Sequence, residues 1–201
     1  MYRYLLICLV PLLIVACGKT DPQLSRLSDD SLVLAFGDSL TYGTGVSQDK
    51  SYPSILSAMI DRKIINAGIP GELSEQGLQR LSGLMEKYRP QLVILCHGGN
   101  DILRHKSPQQ TKNNLEKMIR MIRSYHADVV MLAVPEFGLF VSPAKYYESL
   151  GEEQHVPVEM NIIPELEKSP SEKSDSVHFN ESGYKKMARA IDRLLRENGA
   201  L

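Results

Sequence analysis

The stretch Leu32-Val33-Leu34-Ala35-Phe36-Gly37-Asp38-Ser39-Leu40 decides the fold class. An unbroken apolar run with no alternating polar residue is what a strand buried on both faces requires, and such strands belong to parallel sheets covered by helices. Gly37-Asp38 then ends the strand as a turn pair, so Ser39 follows directly on its carboxyl end.

Working outward, four more short apolar runs recur: Lys63 to Asn66, Gln91 to Cys96, Asp128 to Val134 and Val156 to Met160. Between them Tyr52 to Asp61, Glu72 to Tyr88 and Pro108 to Tyr125 have helical spacing. In the last, Leu115, Met118, Ile119 and Ile122 share one face. The tail repeats the pattern, with Asn180 or Ser182 as cap and a stripe of Met187, Ile191, Leu194 and Leu195 before Gly199. This alternation predicts an α/β domain with about five parallel strands between two helical layers. Its connections are right-handed, and ligands collect beyond the strands' carboxyl ends. There is no internal repeat.

The chain has 201 residues, 43% hydrophobic and 23% charged, which suits one domain with one core. Its formal net charge is -1 and its basic residues are scattered, so no run tracks phosphates and nucleic acid is excluded as a partner. A monomer is expected.

Residues 1–16 read as a signal peptide: Arg3 precedes an apolar stretch, Tyr4 to Val15, too short to cross ~30 Å of hydrocarbon as a helix. Ahead of Cys17 stands Leu13-Ile14-Val15-Ala16, and this junction resembles the lipobox of bacterial lipoproteins, in which cleavage leaves the cysteine as a lipidated first residue. The resemblance implies a membrane anchor on Cys17; an uncleaved anchor or ordinary secretion, with Cys17 incidental, is the alternative. Both place the domain outside the cytoplasm. Residues 17–30 are polar and aperiodic, as in a tether, and the domain is expected over residues 31–201. With Cys8 removed and Cys17 acylated, only Cys96 remains, a small core residue at the end of an apolar run that has no disulfide partner.

Four segments adjoin strand ends or lie late in the chain with reactive residues: Gly37-Asp38-Ser39-Leu40, Asn66-Ala67-Gly68, Gly98-Gly99-Asn100-Asp101 and Asp175-Ser176-Val177-His178. A serine hydroxyl is a poor nucleophile unless a base takes its proton and a third group orients that base. Asp175 and His178, three residues apart, can bring a carboxylate beside an imidazole N–H. Charge developing on a carbonyl oxygen also needs fixed donors, for which backbone N–H groups and an amide side chain qualify.

In order and spacing these segments resemble the four blocks of the SGNH, or GDSL, hydrolase family, over nearly all of residues 32–198. The resemblance implies a three-layer, flavodoxin-like fold and metal-free hydrolysis of esters and thioesters. Ser39 would be the nucleophile, His178 the base and Asp175 its orienter, with the Ser39 N–H, Gly68 and Asn100 as oxyanion donors. His178-Phe179-Asn180 departs from the commoner histidine-proline-asparagine. Small-molecule or lipid esters are the expected substrates, no cofactor is implied, and the closest branch is the bacterial thioesterase and lysophospholipase one. Carbohydrate deacetylation, or an acyl-binding lipoprotein without catalysis, are the alternatives.

Other residues carry structural readings. Asp38 bonds nearby backbone rather than serving as the triad acid, and Asp101 caps the turn that follows it. His97 is a packed or surface residue near the site. No Cys-x-x-Cys or His-Glu-x-x-His spacing appears, so no metal is expected. The segment 137–155, with Phe140, Tyr146, Tyr147 and Leu150, either covers an acyl pocket or packs on the sheet. Gly-x-Ser-x-Gly is incomplete, since Thr41 stands where the second glycine belongs.

Overall fold

The computed structural model describes residues 24–136 and 141–201. Residues 1–16, expected to form a signal peptide, and Cys17 lie outside the described residues. A five-stranded sheet runs β1 (Leu32–Gly37), β2 (Lys63–Gly68), β3 (Leu92–Cys96), β4 (Asp128–Leu132) and β7 (Val158–Glu159), in the order β2-β1-β3-β4-β7, every neighbouring pair parallel. A two-residue antiparallel pair, β5 (Pro135–Glu136) and β6 (Ser142–Pro143), stands apart.

That order creates the crevice. From β1 the chain passes through α1 (Ser39–Tyr42) and α2 (Tyr52–Ile60) to β2 on one flank, then returns through α3 (Ser74–Tyr88) past β1 to β3. The short α4 (Gly99–Leu103) and α5 (Pro108–Ser124) lead to β4, and α6 (Lys145–Gln154) to β7. Then α7 (Ile162–Glu167) leads toward the long α8 (Glu181–Glu197). Helices α3, α5 and α6 pack together on one face, and α2 with α8 on the other. The connections therefore diverge between β1 and β3, the switch point where open α/β sheets bind ligands.

Val33 to Phe36 of β1 and Leu92 to Cys96 of β3 are fully or almost fully buried, which explains their unbroken apolar character. Leu81, Met85, Leu115, Met118, Ile119 and Ile122 cover one side, and Leu56, Ile60, Met187, Ile191 and Leu195 the other. Truncating such a residue, for example Ile94→Ala, costs about 2–5 kcal/mol. Of the two candidate caps for α8, Asn180 is the one used: its side chain accepts from the Gly183 N–H at 3.1 Å.

Several boundaries differ from expectation. β2 runs two residues further, to Gly68, because it pairs with β1 along its whole length. The last strand shrinks to Val158–Glu159, an edge strand paired only with the end of β4, and β4 itself ends at Leu132. Helices α1, α4, α6 and α7 have no sequence-based expectation. Residues 24–30, assigned to the tether on composition, lie against the body: Leu27 is buried, and the Leu24 and Leu27 N–H groups donate to Asn198 and Ala200 carbonyls. The Ser25 N–H reaches Asp128 at the start of β4. The chain thus joins the body at the strands' amino ends, the edge opposite the crevice.

Candidate active site

Gly37 pairs with Gly68 in β2 and with Cys96 in β3, so three strands end level and their loops emerge side by side. After β1 comes the single turn α1. Asp38 caps it, one carboxylate oxygen accepting from the Leu40 N–H at 3.1 Å, and the other accepts from Asn100 Nδ2 at 3.2 Å. Asp38 is buried, as is Ser39 beside it. Burial pushes the Asp38 carboxyl above its ordinary range, against the pull of His97, the Leu40 N–H, His178 and Asn100. Its backbone-bonding role is as expected; its bond to Asn100 is an addition.

Between α7 and α8, Asp175 Oδ2 lies 2.8 Å from His178 Nδ1, while Asp175 Oδ1 accepts the Val177 and His178 N–H groups, each at 2.8 Å. The His178 contact, then those two N–H bonds, draws the Asp175 carboxyl down to about 2. It is therefore ionised throughout the neutral range. The loop is braced by Ser174 N–H to His178 O at 2.9 Å and by Lys173, which donates to the Ser176 carbonyl at 2.8 Å and pairs with Glu167.

Ser39, Asn100 and His178 line one pocket of about 250 Å³. Leu40, Pro70, Leu103, Val134, Pro135, Ile163 and Val177 make most of its remaining wall, and Glu167 is a further polar group. Ser39 and His178, over a hundred positions apart in the sequence, thus line the same pocket at the sheet's carboxyl edge.

Gly68 is not among the lining residues. It belongs to β2, its N–H donates to Asn66 Oδ1 at 3.0 Å, and a Cβ on it would lie 2.1 Å from the Tyr42 nitrogen. It is a glycine because α1 crosses it closely. The glycine after β2 that lines the pocket is Gly71, with φ +77°, and among the described residues no acceptor meets its N–H. The Pro70-Gly71 pair, a turn signal, is what points to it in the sequence.

Residues 35–186 match the GDSL-like lipase/acylhydrolase family. The chain belongs to this family. An arylesterase of Vibrio mimicus is 37% identical over 142 residues, 66% of this chain and 70% of the relative. The thioesterase 1/protease 1/lysophospholipase L1 of Escherichia coli is 30% identical over 163 residues, 77% of this chain and 78% of that one. The crystal structure of TesA superposes with a TM-score of 0.75 at 22% identity, over 84% of this chain and 99% of that chain. As a GDSL-family member with such relatives, the protein is a carboxylic ester hydrolase.

Within this GDSL domain the remaining residues fall into place. Asp101 does not cap the turn after it; its carboxylate accepts from the Ser74 N–H at 2.8 Å and Ser74 Oγ at 2.7 Å, capping α3 from α4. His97 is wholly buried. Tyr146, Tyr147 and Leu150 pack in the core, Tyr147 donating to the His97 carbonyl at 2.5 Å, and do not line the pocket. Phe140 lies outside the described residues. Among the described residues no three His, Cys, Asp or Glu side chains gather as a metal-ligand set.

Proposed function

We propose that Ser39 is the nucleophile, His178 the base and Asp175 its orienter, with the Ser39 N–H, the Gly71 N–H and Asn100 Nδ2 as oxyanion donors. The observation that carries this is the meeting of Ser39, Asn100 and a His178 already bonded to Asp175 in one pocket. Ser39 Oγ attacks the acyl carbon as His178 Nε2 takes its proton, and charge builds on the carbonyl oxygen before the three donors. On collapse the carbon–oxygen or carbon–sulfur bond breaks, the leaving group takes the proton from His178, and an acyl-serine remains. Water, deprotonated by His178, then releases the acid and restores Ser39. Asp175 holds Nδ1–H and stabilises the imidazolium formed in each half.

The largely apolar wall favours an acyl chain over a sugar, so acyl esters and thioesters are the substrate class. A fluorophosphonate tests the assignment: it attaches to Ser39, found by peptide mass spectrometry, with activity lost in proportion. Attachment elsewhere, with activity lost, contradicts it.

The domain is exported and held to a membrane by lipid on Cys17. The apolar run Tyr4 to Val15 and the small residues before Cys17 support this. Leu24, seven positions after Cys17 and so at most ~25 Å from it, is held at the edge opposite the pocket. The pocket then faces away from the anchoring bilayer, toward esters delivered from the aqueous side.

A further inference from the structure

Behind the three strand ends lies a charged cluster that takes no part in the chemistry above. Glu72, next to Gly71, accepts from Arg80 Nε and Nη2, each at 2.6 Å. His97 Nε2 lies 3.2 Å from the same carboxylate, close enough for electrostatic attraction though off-line for a hydrogen bond. Arg80 Nη2 also donates to the Ala67 carbonyl at 2.8 Å and the Gly37 carbonyl at 3.3 Å, and its guanidinium stacks 4.2 Å from the Phe36 ring centre. Glu72 is 6% exposed and His97 not at all. Burial pushes the Glu72 carboxyl up, but His97 and Arg80 outweigh it and hold it below the ordinary value.

Stability is a weak reason to bury such a cluster, since apolar side chains of like volume often serve as well or better. Position is a stronger one. Gly37 precedes Asp38 and Ser39, Glu72 follows Gly71, and His97 precedes Gly98, Gly99 and Asn100. One ion pair therefore touches all three loops that carry the oxyanion donors. A misplacement of ~1 Å at such donors costs on the order of 100-fold in rate.

We propose that Glu72, Arg80 and His97 are positioning residues that fix the spacing of the Ser39 N–H, the Gly71 N–H and Asn100 Nδ2. The proposal rests on the donor assignments above.

Steady-state kinetics on a nitrophenyl acyl ester test it, with melting curves confirming folded protein. Glu72→Gln lowers kcat by about 10- to 100-fold with KM changed less than about twofold, because the donors act in the transition state. Arg80→Lys, which keeps the charge but loses the two-pronged contact, falls between, and serves if the glutamine variant does not fold. In an Asn100→Ala background the further loss from Glu72→Gln shrinks to about threefold or less, since the site it aligns is already incomplete. A folded Glu72→Gln or Arg80→Lys with kcat within about twofold of wild type, or losses that multiply independently with Asn100→Ala, overturns the positioning role. Full activity in Asn100→Ala alone overturns instead the donor assignment beneath it.

Discussion

Asn100 Nδ2 donates to Asp38 Oδ2 across 3.2 Å, a bond between residues 62 positions apart that ties the end of β1 to the end of β3. The carboxylate beside Ser39 thus holds the Asn100 amide at the pocket that Ser39 and His178 line. In Asp38→Asn the new amide offers one acceptor oxygen to two donors, so whichever way it turns either Asn100 Nδ2 or the Leu40 N–H is left facing an NH2 group. The expected result is a kcat about 10- to 100-fold lower with KM little changed, from loss of a charged hydrogen bond of ~1.5–3 kcal/mol. Steady-state kinetics on a short acyl ester measure it.

The two glycines of the β2 loop separate by their variants. Gly68→Ala places its methyl against the Tyr42 backbone, so a large fall in melting temperature is expected. At Gly71 a Cβ has room, its nearest neighbour being Arg104 at 3.5 Å, but φ +77° strains any other residue by ~1–2 kcal/mol. Gly71→Ala should fold and lose kcat. Thermal melts and kinetics on both variants give the comparison; the reverse pattern returns the donor role to Gly68.

Much of this was open to reading in the sequence, and the exceptions have physical causes. The β1 and β3 runs are buried on both faces, so their apolar continuity marks them plainly. Asp175 and His178 are local in sequence, so their pairing follows from spacing. Gly71 was hidden because β2 runs on to Gly68 through Asn66 and Ala67, held by its ladder with β1 rather than by local propensity. The partners of Asp38, Asp101 and Glu72 lie on other strands' loops, and no local pattern announces contacts set by strand order.

Asp175 carries a pH signature. Its carboxyl is held at about 2 against an ordinary 3.8, so its contribution to stability is present above pH ~4 and is lost as pH falls through the lower value. In wild type the melting temperature should decline between pH ~4 and ~2 more steeply than in Asp175→Asn, with melting scans over that range as the measure. The same variant loses on the order of 100- to 10,000-fold in kcat at neutral pH, where the wild-type carboxylate is ionised. An acid limb of kcat/KM lying above pH ~4 then belongs to another group than Asp175.

For the anchor, Cys17→Ala should move the protein from the membrane fraction to the soluble one and end incorporation of labelled palmitate. Its kcat on a soluble ester stays within about twofold of wild type, since the attachment edge is remote from the pocket. Palmitate labelling that persists in the variant contradicts lipidation at Cys17.

The role of Ser39 is measured most directly by kcat for hydrolysis of a short acyl ester by the purified mature domain and its Ser39→Ala variant, both shown folded by melting curves. A nucleophilic Ser39 predicts a fall of about 10,000-fold or more with the fold intact. Turnover by the variant within about tenfold of wild type contradicts a nucleophilic Ser39.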